Sequence, residues 1–230
     1  MSRIKNKKVA LDHNTVKNVF ETVAIRAKTK LSSCMLDMND EYATERHNQE
    51  CYRISKTIGA SYDHVLDIGC GIGRLRELFP TAEYTGIDFC EAYINEAKQV
   101  HEFDTFICHD VSKLDEVCKE NYDLSLMCGI CMYLSDEELD NIFSFLKTQK
   151  ECTFYLRESI SIMNERLTLK DFPSSDLGIP YSAIYRTRNE YERLILKHFP
   201  KAKPFISEPL QKGEKQIRKE TNQIYFVWHN

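Results

Sequence analysis

Apolar and polar positions along the chain fall into alternating short runs of two periods. Apolar clusters bounded by turn residues predict strands near 64–69, 83–88, 103–108, 122–128 and 152–158, with two more near 203–207 and 223–228. Between them, helical spacing predicts helices near 73–79, 91–101, 113–120, 135–149 and 188–199. Ser135 and Glu138 form a capping-box pattern at the start of one of these. Two further helices precede the first strand. Val16, Val19, Phe20, Val23 and Ala27 share one face of a segment over 12–30, which Asp12 or Asn14 caps. A second segment over 39–58 is capped by Asn39 or Asp40 and stopped by Gly59.

Strand and helix alternating in this order predict an α/β fold: a Rossmann-like doubly wound sheet of about seven strands, mostly parallel, closed by a C-terminal antiparallel hairpin. Residues 1–59 read as an N-terminal helical cap and 60–230 as the main domain. Residues 1–10 read as a solvated tail. Residues 159–187 break the rhythm with Pro173, Gly178 and Pro180 and read as a long insertion at the site. The lysine-rich stretch from Lys212 to Lys219 reads as an exposed loop. No internal repeat interrupts the pattern.

The chain's 230 residues suit one well-buried domain. A net charge of −4 argues against a nucleic-acid partner. No apolar run approaches the roughly 18 residues of a membrane span. The basic N-terminus lacks the apolar core of a signal peptide, and the nine cysteines, an odd number, suggest reduced thiols. Both point to a cytoplasmic protein, and neither fixes its oligomeric state.

The chemistry concentrates at His64-Val65-Leu66-Asp67-Ile68-Gly69-Cys70-Gly71-Ile72-Gly73. An apolar strand here runs into glycines at alternate positions, the arrangement by which α/β proteins hold nucleotide-like cofactors. Arg74 stands where a dinucleotide fingerprint needs glycine or alanine. Asp67 would repel a pyrophosphate but tolerates a cationic cofactor. S-adenosylmethionine, with a sulfonium, an amino group, a ribose and no phosphate, fits both features. Asp88 ends the next strand, about 20 residues on, where an acid takes ribose hydroxyls. Asp110, just past the third strand, is placed to accept from the adenine amine. A glycine loop followed by three strand-end acids resembles the class I S-adenosylmethionine-dependent methyltransferases over roughly residues 60 to 158. The resemblance implies a cofactor site of Asp67, Gly69, Cys70, Gly71, Asp88, Phe89, Asp110, Val111 and Cys128, with Arg46 reaching the cofactor carboxylate.

Methyl transfer asks the protein for alignment and exclusion of water, and with a hydroxyl acceptor for a base. Glu158, at the end of the fifth strand, is the leading base candidate; a salt bridge to a neighbouring arginine is its plainer role. His109 and Tyr133 follow as bases, with surface or helix-cap packing as alternatives. Arg186 and Arg188, with Arg157, form a candidate clamp for phosphate, with a solvated helix N-terminus as the plainer reading; Tyr185, in a Tyr-Arg-Thr sequence similar to one before a helix in small-molecule methyltransferases, is a further substrate-binding candidate. Cys128-x-x-Cys131 lacks two further zinc ligands, so no metal is expected.

The expected reaction is transfer to a small-molecule acceptor. The segment Phe20–Ala27 resembles methyltransferases of bacterial surface-polysaccharide clusters, which implies a hydroxyl or phosphorylated group of a sugar or polysaccharide precursor. Amine and protein N-terminal methyltransferases end the fifth strand with Lys-Asp/Glu-Asn. Here Arg157 and Ser159 replace the flanking residues, and an amine acceptor stays the alternative. A non-catalytic cofactor-binding partner subunit and a small reductase are further readings, the latter disfavoured by Arg74 and Asp67.

Overall fold

The computed structural model describes residues 2–5, 7–36, 39–174, 177–210 and 219–230. The stretch Lys212 to Lys219 therefore lies almost wholly outside the described residues. The main sheet has seven strands in the order β4-β3-β2-β5-β6-β10-β9. These are β2 (His64–Ile68), β3 (Glu83–Asp88), β4 (Thr105–Cys108), β5 (Leu124–Cys128), β6 (Thr153–Ser161), β9 (Phe205–Ile206) and β10 (Thr221–His229). The first five run parallel, and β10 is antiparallel to both β6 and β9. The chain steps outward from β2 to β3 and β4, then returns to β5 on the other side of β2. Strand order thus reverses beside β2, and the crevice at such a reversal is where open α/β sheets bind ligands.

Both faces of the sheet are covered. Helices α3 (Asp40–Ile58) and α4 (Glu91–Val100) pack Ile54, Ile94 and Ala97 against Val65, Leu124 and Tyr155. On the other face lie α5 (Leu114–Val117), α6 (Asp136–Leu146) and α7 (Arg188–His198), with Leu139, Ile142, Phe143 and Ile195 against Leu156, Phe226 and Trp228. Local chemistry sets the ends. Asp12 caps α1 (His13–Arg26), Asn39 caps α3, and Ser135 with Glu138 closes the capping box of α6. A short α2 (Lys30–Cys34) links α1 to α3.

Four local expectations change. No α-helix forms over 73–79; a single 3-10 turn, Arg76–Leu78, stands there. Gly73 sits at φ +71°, outside the helical region, and Pro80 disfavours helical backbone at Phe79 before it. The helix expected over 113–120 spans only Leu114–Val117, because Cys118 turns extended. The segment 1–10 is not all a tail: β1 (Ser2–Lys5) pairs with β7 (Leu167–Pro173). Nor is 159–187 an irregular insertion. β6 continues to Ser161, and β7 and β8 (Pro180–Tyr185) complete a second, three-stranded antiparallel sheet, β1-β7-β8.

Candidate active site

A cavity of about 840 Å³ opens at the carboxyl ends of β2 to β6. All ten residues expected to hold a cofactor line it: Asp67, Gly69, Cys70, Gly71, Asp88, Phe89, Asp110, Val111, Cys128 and Arg46. α1, α2, α3 and the second sheet roof it, through Phe20, Cys34, Tyr42 and Tyr181.

The floor is built from the glycine loop and two buried acids. Gly71 sits at φ +56°, where a side chain is strained, and its N–H donates to Asp88 Oδ2 at 3.0 Å. Asp88 Oδ1 accepts from the Cys90 N–H at 2.9 Å. One carboxylate thereby ties the loop to the following helix and keeps lone pairs for a ligand. Burial pushes Asp88 up to about 6, against the pull of these N–H donors. Asp67 is also buried and pushed up to about 6 by desolvation, with the Tyr84 hydroxyl donating to it at 2.5 Å. Asp110 caps the turn after β4 by accepting from the Ser112 N–H at 2.9 Å with Oδ1.

Beside the loop lies a charge cluster whose centre the sequence reading missed. Glu50 on α3 accepts from Arg157 Nε at 2.5 Å and Nη2 at 2.9 Å, and from Arg74 Nη2 at 2.6 Å. Burial alone would raise its pKa, but Arg157 and Arg74 hold its carboxyl well below the usual range. His47, 3.2 Å from Arg74, is lowered by burial and by that same charge. Two guanidiniums against one carboxylate leave the cluster net positive on the cavity wall. Gly129 makes room for it: a Cβ there would stand 2.8 Å from Arg157 Nη1. The buried positions of α3 are Ala43, Glu50 and Ile54, so Glu50 interrupts the helix's apolar stripe. That was the available signal.

Three expected residues are not brought to the cavity. Glu158 shares the strand face of Leu156 and Ile160, towards α6 and α7, while Arg157 and Ser159 face the cavity. It is fully buried, its Oε1 accepts from the Cys131 N–H at 2.7 Å, and burial pushes it up to about 7. It pins the loop that carries Tyr133 and does not face the cavity. Arg186 is buried too. It donates to the carbonyls of Cys131 at 2.8 Å and Leu134 at 2.7 Å and to Asp136 at 2.8 and 3.0 Å, which consumes the fork expected for phosphate. Tyr185 packs with Met132, Leu167 and Ala183 beneath the roof.

Two base candidates do reach the cavity. His109 lies past β4 beside Asp110, 3.3 Å from Glu116. Tyr133 lies on the far side, its ring 5.1 Å from Phe20 and its hydroxyl 3.2 Å from that of Tyr181. Burial holds the Tyr181 phenol far above its ordinary pKa, so it stays protonated. Ser159, Asn222 and Gln223 add polar groups to the cavity lining. Among the described lining residues the only carboxylates are Asp67, Asp88 and Asp110.

Comparison with known proteins agrees with this geometry. A family model described as a methyltransferase domain matches residues 60–204. A malonyl-[acyl-carrier protein] O-methyltransferase of Bacillus cytotoxicus is 38% identical over 78 residues, 31% of this chain and 27% of that protein. Phosphoethanolamine N-methyltransferase 1 of Zea mays is 32% identical over 113 residues, 46% of this chain and 22% of that protein. The chain thus spans less than half the length of these curated relatives. Among solved structures, a SAM-dependent methyltransferase of Leishmania major is 16% identical with a TM-score of 0.65, covering 91% of this chain and 81% of that one. Magnesium protoporphyrin IX methyltransferase of Synechocystis with bound SAM is 15% identical with a TM-score of 0.59, covering 96% and 99%. At these identities the two structures speak for the fold.

Proposed function

From the premise that this chain belongs to the methyltransferase-domain family matched over residues 60–204, we propose that it transfers a methyl group from S-adenosylmethionine to a small-molecule acceptor. The observation that carries the reading is the Gly71–Asp88 pair. A buried acid at the end of β3 braces the glycine loop and keeps free lone pairs towards the cavity. The residues fit the cofactor. Asp88 offers acceptors to vicinal ribose hydroxyls and Asp110 to an exocyclic amine. The volume of about 840 Å³ suits a cofactor with a small acceptor. When bound, S-adenosylmethionine supplies an already activated methyl group.

The chain's part is then binding, orientation and exclusion of water. Asp67, Asp88 and the glycine loop hold one half of the cavity. Tyr133 and Tyr181 orient the acceptor in the other, with Tyr181 as a protonated donor. Phe20 and the roof keep solvent out. The polar groups of Ser159, Asn222 and Gln223 support an oxygen acceptor on a small polar molecule, of which a sugar or its phosphorylated derivative is one. The aromatic rings of Phe20, Tyr133 and Tyr181 favour a second reading, a cationic amine acceptor. The curated relatives methylate both oxygen and nitrogen by name.

Calorimetry tests the reading. S-adenosylhomocysteine should bind one site per chain and raise the melting temperature, and NAD should do neither. Tight NAD binding with no response to S-adenosylhomocysteine would refute it.

A further inference from the structure

A smaller chamber of about 180 Å³ adjoins the main cavity. The two share Tyr42, Arg46, Arg157 and Gln223 in their walls, and none of the three strand-end acids borders the chamber. It therefore opens off the side of the cavity away from Asp88 and Asp110. α3 lays Arg46, Gln49 and Arg53 along it, with Glu45 and Glu50.

The charges do not balance. Glu50 is wholly engaged by Arg157 and Arg74, themselves two cations. Gln49 donates to Glu45 at 2.8 Å, and Glu45 is exposed to solvent. Arg53 is half-buried and makes no hydrogen bond or ion pair among the described residues. Arg157 is held by its two bonds to Glu50, which leaves Nη1 without a protein partner among the described residues. A concave wall where Arg53 is uncommitted and Arg157 is fixed in advance with Nη1 to spare favours an anion.

On the methyltransferase reading above, we propose that this chamber binds an anionic group of the acceptor, a carboxylate or a phosphate, while the methylated atom lies in the main cavity. The acceptor is then a small molecule with two functional ends: a nucleophile at one and an anion at the other. Arg53 and Arg157 select it, and Gln223 bridges the two spaces.

The test is calorimetric titration of the full chain, saturated with S-adenosylhomocysteine, with inorganic phosphate and separately with malonate, at constant ionic strength. At least one should bind saturably at one site per chain, and the tighter of the two names the anion. Arg53→Gln should weaken that binding about tenfold and leave S-adenosylhomocysteine affinity unchanged. Arg53→Lys should recover part of the loss. Absence of saturable binding, or equal binding in Arg53→Gln, overturns the proposal. So does anion binding that competes with S-adenosylhomocysteine, which would assign these cations to the cofactor. The same titrations on the ligand-free chain separate the two questions. Failure of S-adenosylhomocysteine alone to bind counts against the methyltransferase reading, whereas phosphate and malonate both failing on the free chain counts against the chamber.

Discussion

Arg157 grips Glu50 through two hydrogen bonds, at 2.5 and 2.9 Å, and so ties the fifth parallel strand to a helix that precedes the first. Both side chains are nearly inaccessible to solvent, and Arg74 completes the cluster from the glycine loop. A buried ion pair contributes little relative to an apolar replacement, but breaking one by removing a single partner is costly. Glu50→Ala should therefore destabilise the chain by about 3–5 kcal/mol, read as a lower urea midpoint with an unchanged slope. It should also weaken cofactor binding, because Arg74 loses its anchor beside the loop. An unfolding free energy within about 0.5 kcal/mol of wild type would show that the cluster is not maintained in solution.

Asp88→Asn should weaken S-adenosylhomocysteine binding by about 1.5–3 kcal/mol for each charge-assisted hydrogen bond lost. The wild-type affinity should also depend on pH. Burial raises Asp88 to about 6, and hydroxyl donors favour its ionised form. Affinity should rise as pH goes from 5 to 7 and level off above. The asparagine variant should lose the part of that rise due to residue 88. Equal pH dependence in both proteins would remove Asp88 from the ribose site.

Glu158→Gln should keep most of the turnover, because Glu158 faces away from the cavity and the amide oxygen can still accept from the Cys131 N–H. Tyr181→Phe should lower turnover about three- to tenfold, with cofactor affinity unchanged, through loss of one neutral hydrogen bond to the acceptor or to Tyr133. The reverse order of effects would restore Glu158 as the base. Steady-state kinetics with the eventual acceptor decides between them.

The ligand-free protein should lose stability as pH rises from about 4 through 7. Asp67, Asp88 and Glu158 hold their protons more tightly folded than unfolded, at about 6, 6 and 7. Their contribution is complete below the unfolded carboxyl range and is lost as pH passes through the folded values. Glu50 and Asp136 work the other way, since arginines hold them low; their contribution is lost as pH falls below about 4. The melting temperature should peak near about pH 4, and Glu158→Gln should flatten the decline above the peak. A melting temperature that climbs steadily from pH 5 to 8 would contradict this balance.

Local chemistry was readable and long-range orientation was not. The glycine loop and its strand-end acids depend on adjacent residues, and all ten expected cofactor positions share one cavity. The caps at Asp12, Asn39 and Ser135 are equally local. Glu158 shows the limit. Alternation along β6 implies that Arg157 and Glu158 face opposite ways, but which face meets the cavity depends on where α3 and α6 pack. Arg186 looked like an exposed fork because nothing near it in sequence reveals the carbonyls of Cys131 and Leu134 that occupy it. The pairing of Ser2–Lys5 with β7 joins segments from distant parts of the chain, beyond the reach of any periodicity.

Strand β10 lies inside the sheet, between β6 and β9, although it follows every other described strand in sequence order. During synthesis the segment from the glycine loop to Cys128 leaves the ribosome long before Asn222 and Gln223 do. The half of the cavity built on the glycine loop can therefore assemble on a nascent chain whose opposite wall does not yet exist. Until residues 221–229 arrive, β6 offers an open edge of unpaired backbone groups, a template for foreign strands. The nascent protein is then most exposed to misassociation in the interval before β10 closes that gap.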